Sequence, residues 1–162
     1  MTPAVTETVA DEILTVDELD RLEACIDVWL AGELADNPVV AAVDRGEPEE
    51  RRWYVRLRGE QKETFTIWFT LGQRTLHYET YVMPAPVENL AEFYEHLLRR
   101  NLKLYGAAFA IGPEDAVFLV GQIGAGAVDE GELDRLLGSI FVWVEQFFRP
   151  AMRIGYASVF KG

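Results

Sequence analysis

Residues Glu88 to Gly121 read ENLAEFYEHLLRRNLKLYGAAFAIGPEDAVFLVG, and the change of period inside this stretch decides the fold class. Leu90, Phe93, Tyr94, Leu97 and Leu98 recur at helical spacing, which predicts a helix running to Asn101. Beyond it, Leu104 to Ile111 and Ala116 to Val120 are apolar runs without a helical period. Gly112-Pro113-Glu114-Asp115 separates them, with proline placed for a β-turn. A helix followed at once by a strand pair marks an α+β core. Both strands are apolar or small at nearly every position, as expected where helices cover one face and another element or subunit covers part of the second.

The clearest alternation precedes that stretch. In Arg52 to Arg58, Trp53, Val55 and Leu57 point one way, and Arg52, Tyr54, Arg56 and Arg58 the other. In Thr64 to Leu71, Phe65, Ile67, Phe69 and Leu71 oppose Thr64, Thr66, Trp68 and Thr70. In Thr75 to Val82, Leu76, Tyr78, Thr80 and Val82 oppose His77, Glu79 and Tyr81. Gly59-Glu60-Gln61 and Gly72-Gln73 are short enough to join the three as an antiparallel meander.

Helices are predicted on either side. Thr15 and Glu18 have the spacing of a capping box, and Leu19, Leu22, Ile26, Trp29 and Leu30 follow on one helical face of about four turns. Asn37-Pro38 ends this helix, because the residue before proline is driven out of the helical region. Val39 to Val43 fits either a short strand or a packed loop, and Asp44 to Glu50 is a charged connection. Pro84 and Pro86 close the third strand, and Pro86 is admissible in the first turn of the central helix. Gly121 to Ala127, GQIGAGA, lacks the glycine spacing of a nucleotide-binding loop and reads as a connector.

The last helix starts near Asp129 and carries Leu133, Leu136, Leu137, Ile140, Val144, Phe147 and Phe148; Pro150 should end or kink it. Phe141, Val142 and Trp143 widen its apolar surface beyond one stripe, and Met152 continues it. That width predicts a homodimer with Ile140, Phe141, Trp143, Val144, Phe148 and Met152 at its interface. The expected order is α-β-β-β-α-β-β-α in one domain over residues 14–162, behind a mobile acidic arm over residues 1–13.

At 162 residues the chain has the length of one domain, and its single cysteine, Cys25, rules out an intrachain disulfide. The start, MTPAVTETVADE, lacks the basic end and apolar run of a signal peptide, so the cytoplasm is the expected compartment. No apolar run is longer than that of Ile140 to Val144, far short of the roughly 18 residues of a membrane span. The net charge of −12 sits in the first 50 residues, which hold 14 of the 27 acids and two of the 15 bases. This acidity argues against nucleic acid or an anionic membrane as partner. Arg51, Arg52, Arg56, Arg58 and Lys62 nevertheless cluster around the first hairpin, either as a solvated face partly neutralised by the acidic first helix or as a site for an anion or acidic peptide.

Chemistry-bearing residues are sparse. His77 and Glu79 share a strand face about 7 Å apart, but two ligands do not make a metal site. His96 is expected at the surface, and the acidic surroundings of Cys25 raise rather than lower a thiol pKa. No catalytic constellation, metal site or cofactor is predicted. What remains is a face carrying Tyr54, Arg56, Arg58, Thr66, Trp68, His77, Glu79 and Tyr81, whose aromatic and arginine composition is that of a contact surface. The competing expectation is that the first helix or Val39 to Val43 half covers Trp68.

Helix, three strands, helix, two strands, helix is similar to the order of the class I type III secretion chaperones, most closely where Leu97-Leu98-Arg99-Arg100-Asn101 leads to Gly106, Ile111-Gly112 and Ala116 to Val120. From about Asp17 to Tyr156 the chain resembles actinobacterial YbjN-domain proteins, grouped with those chaperones and with sensory transduction regulators. RRWYVRLRGEQKETFTIWFTLGQRTLHYETYVMP and LLRRNLKLYGAAFAIGPEDAVFLVG carry the resemblance. It implies a non-enzymatic, dimeric, binding or regulatory protein with no catalytic residues to transfer. Two functions are therefore expected to compete: a protein- or peptide-binding module using the polar strand face, and a small-molecule sensor or enzyme with a pocket near Arg56, His77 and Glu79.

Overall fold

In the computed structural model, which describes residues 13–161, the three alternating segments form the antiparallel strands β2 (Arg52–Arg58), β3 (Thr64–Leu71) and β4 (Thr75–Met83). Three further strands extend the sheet. β1 (Val40–Arg45) lies outside β2, while β6 (Val117–Gly124) pairs with β4 and carries β5 (Ala108–Ile111) on its far side. The strand order is β1-β2-β3-β4-β6-β5, antiparallel throughout. Among the described residues three α-helices, α1 (Val16–Asp36), α2 (Leu90–Asn101) and α3 (Glu130–Gly155), accompany the sheet. The α+β class stands, with one strand more than the expected order because Val39 to Val43 resolves into β1 rather than a loop.

Burial explains the layering. Trp53, Val55, Leu57, Ile67, Phe69, Leu76 and Tyr78 are fully buried on one side of the sheet. Trp29 of α1 meets Phe69 edge-on at 6.2 Å, Phe141 of α3 stacks on Phe65 at 6.1 Å, and Phe147 meets Phe109 edge-on at 5.9 Å. All three contacts engage the same side. The indoles keep their hydrogen bonds there: Trp53 Nε1 donates to Asp27 at 2.7 Å and Trp29 Nε1 to Asp134 at 2.8 Å. Buried Thr80 donates to the Thr66 carbonyl at 2.8 Å.

The capping box at Thr15 and Glu18 is formed, and α1 stops at Asp36 before Asn37-Pro38. Five other expectations need correction. α2 begins at Leu90 behind Asn89 in the left-handed region (φ 53°), so Pro86 lies outside it and packs instead where Gly155 and Phe93 meet. Only Phe93 and Leu97 of its apolar residues are buried, leaving Leu90 and Leu98 exposed. The fifth strand starts at Ala108 rather than Leu104, because Gly106 takes φ +74° in the preceding turn. GQIGAGA is no simple connector: β6 runs through Gly124, and at Gly121 a side chain would collide with the Tyr78 ring and the Gly106 carbonyl. α3 continues through Pro150 to Gly155. The arm expected over residues 1–13 lies, apart from Ile13, outside the described residues.

Candidate binding face

Among the described residues, no helix or loop covers the side of the sheet away from the helices. Arg56, Arg58, Trp68 and Tyr81 are exposed, and Tyr54, Thr66, His77 and Glu79 are partly so. Trp68 is 42% and Tyr81 43% exposed, so neither α1 nor β1 covers the tryptophan: α1 lies on the opposite face and β1 lies in the plane of the sheet. Register then sets the neighbours. Tyr54, Trp68 and Glu79 lie in one cross-strand row, with Tyr54 and Trp68 edge to face at 5.4 Å. Arg56 faces Thr66 in the next row, and His77 faces Thr70. Tyr81 pairs with Phe118 of β6, ring to ring at 5.7 Å. All eight expected face residues therefore share one surface.

Charge is divided sharply between the cations of the hairpin region. Arg45 is paired with Glu23 and Asp27, and Arg51 with Asp20 and Glu23, so the acidic first helix neutralises these two. Arg52 bonds Thr70 and lies 3.8 Å from Glu50. Arg58 donates only to the Pro38 carbonyl, at 3.1 Å. Arg56 and Lys62 have no carboxylate partner among the described residues. Instead Lys62 Nζ sits 4.8 Å from the Phe148 ring centroid and 5.7 Å from that of Tyr81. Burial pushes this ammonium down from the ordinary lysine value.

A cleft of about 320 Å³ opens at this end of the face, lined by Lys62, Thr64, Thr66, Trp68, Glu79, Tyr81 and Phe118, with Phe65 at its base. Glu79 contributes to it, but Arg56 and His77 do not; His77 Nε2 is 3.9 Å from Glu79 instead. Of the residues expected around a pocket, Arg56, His77 and Glu79, this cleft takes in Glu79 alone. Lys62 belonged to the basic cluster visible in the sequence, yet its place in the cleft depends on the hairpin. Phe118 read as an ordinary strand residue, and only the β4–β6 register brings it to Tyr81.

The six residues expected at a dimer interface differ in burial within the chain. Ile140 and Val144 are 2% and 0% exposed inside the chain's own core and have no surface left for a second copy. Phe141 stacks on Phe65, and Phe148 packs against Phe160 and Lys62. Trp143 and Met152 are partly buried against the core. Among the described residues no three or more His, Cys, Asp or Glu side chains are placed to hold a metal ion, and no helix is long and apolar enough to cross a membrane. His96 is partly buried, not fully at the surface, and burial followed by Arg100 pulls its imidazole below the usual value.

The described residues thus form an antiparallel sheet with helices on one face and aromatic, threonine and basic side chains on the other. The chain belongs to the YbjN family, whose model, described as "Putative bacterial sensory transduction regulator", matches residues 27–151. It is similar to an uncharacterised protein of Mycobacterium bovis and one of Mycobacterium tuberculosis, each 36% identical over 104 residues, 64% of this chain and 57% of the relative. An uncharacterised protein of Mycobacterium leprae is 31% identical over 107 residues, 66% of this chain and 58% of the relative. The chain therefore spans less than two thirds of the length of these curated relatives.

Proposed function

We propose that this protein is a non-enzymatic, chaperone-like or regulatory module that binds a protein segment on the bare face of its sheet. The observation that carries the reading is Trp68, a large aromatic left 42% exposed on the face away from the helices, with Arg56, which has no carboxylate partner among the described residues, on the neighbouring strand. Aromatic and arginine side chains dominate interface energetics, and here both stand on rigid strands that need no ordering on contact. Membership of a family described in terms of sensory transduction regulation supports the same reading.

The test is selection of peptides from a random nonapeptide library, followed by amide shift mapping with one selected peptide. Shifts should concentrate on the outward residues of β2, β3 and β4. Failure to select any peptide, or shifts confined to the helical side, overturns the proposal.

A further inference from the structure

The cleft at the Lys62 end of the bare face is more specific than the face around it. Lys62 is fixed from behind: Glu145 of α3 accepts the backbone N–H groups of Glu60 at 3.0 Å, Gln61 at 2.7 Å and Lys62 at 3.4 Å. The side chain then runs between the rings of Tyr81 and Phe148. A half-buried ammonium held against two rings, with no carboxylate partner among the described residues, is electrostatically incomplete. Its missing counter-charge is an anion.

We infer that this cleft anchors an acidic side chain of a bound peptide segment, with Lys62 receiving the carboxylate and Trp68, Tyr81 and Phe118 walling the methylene stem. This rests on the bare face being the binding surface. The chemistry of the cleft selects among anions. Phosphate groups are held by arginine forks or by several convergent N–H donors, whereas here a single ammonium faces a cleft that Glu79 also lines, and a dianion would be repelled. A C-terminal carboxylate is normally captured by a nest of backbone N–H groups, but those of residues 60, 61 and 62 are already occupied by Glu145. A singly charged side chain within a continuing peptide fits both constraints. Arg56 and Arg58 on the adjoining rows extend the same positive field along the segment's path.

The test uses the same nonapeptide selection with two lysine variants. Lys62→Met keeps the aliphatic stem between the rings while removing the charge; Lys62→Arg keeps a cation. The parent should enrich Asp or Glu at one position of the selected peptides. Replacing that Glu by Gln in a resynthesised peptide should weaken parent binding about tenfold, the size of one charge-assisted contact. The Glu-to-Gln difference should vanish in Lys62→Met and persist in Lys62→Arg, and amidating the peptide C-terminus should change nothing. Peptides selected without acidic enrichment, or an undiminished Glu-to-Gln difference in Lys62→Met, overturn the anchor site while leaving the face as a binding surface. Loss of binding on C-terminal amidation alone would assign the cleft to a terminal carboxylate and also overturn it. If no peptide is selected by any of the three proteins, both readings fall together.

Discussion

Glu145, in the middle of α3, accepts the backbone N–H of Gln61 at 2.7 Å, tying the last helix to the turn between β2 and β3 across 84 positions of sequence. The same carboxylate takes the N–H groups of Glu60 and Lys62. Gly59 makes the arrangement possible, since a Cβ there would overlap both that carboxylate and the Lys62 carbonyl.

Glu145→Ala is therefore expected to lower stability by about 1 to 3 kcal/mol, the range for losing charge-assisted hydrogen bonds. Gly59→Ala should also destabilise, partly by displacing the same carboxylate and partly by crowding the Lys62 carbonyl. The two losses should be markedly less than additive in a double-mutant cycle, read from denaturant midpoints. Full additivity would show that Gly59 and Glu145 do not act through one contact.

Lys62 gives a pH-dependent test. Its folded value lies below its unfolded value, so in the window between them the unfolded chain binds the extra proton and stability rises with pH. Below that window the charged ammonium is buried at full cost. Lys62→Met is expected to be more stable than the parent at pH 7, and the gap should narrow as pH climbs towards the ordinary lysine value of about 10.4. Urea midpoints of both proteins across pH 7 to about 10.4 read this directly. A constant gap would mean that Lys62 carries no burial cost.

Leu97 and Leu98 are adjacent on α2 but 5% and 66% exposed. Leu97→Ala should cost about 2 to 5 kcal/mol, as for a buried leucine, while Leu98→Ala should stay within about 0.5 kcal/mol. Equal losses would mean that the helix is rotated from the orientation described.

These neighbours also show how far the sequence can be read. Alternation in β2, β3 and β4 was legible because one face of each is buried without interruption, and a slip of one residue would expose Trp53 and Phe69. The helix period of α2 was legible too, but it gave five candidates for a buried face that holds only Phe93 and Leu97, since a short helix at the sheet's end is covered on a narrower arc. Gly121 misled for a different reason. Glycine has no side chain to show alternation, so a strand position that must admit Tyr78 looks like a linker. The breadth of apolar sequence in α3 pointed to a second subunit; within the chain, Phe65, Phe109 and Phe160 pack on Phe141, Phe147 and Phe148 of that helix, contacts between distant segments that no period shows. At the binding face, the eight outward residues followed from strand period alone. The cleft did not, because it needs the β4–β6 register and the anchoring of a turn by a helix far along the chain.

If the outward sheet face is the binding surface, Trp68→Ala removes the side chain on which binding depends. Trp68 packs edge-on against Tyr54 and keeps 42% of its surface exposed outside the buried core, so its removal should leave the thermal midpoint close to that of the parent. Affinity for a selected peptide, measured by calorimetry on both proteins, should fall about thirtyfold or more, as for an interface hot spot. A variant that remains folded and binds the peptide as tightly as the parent would contradict the claim.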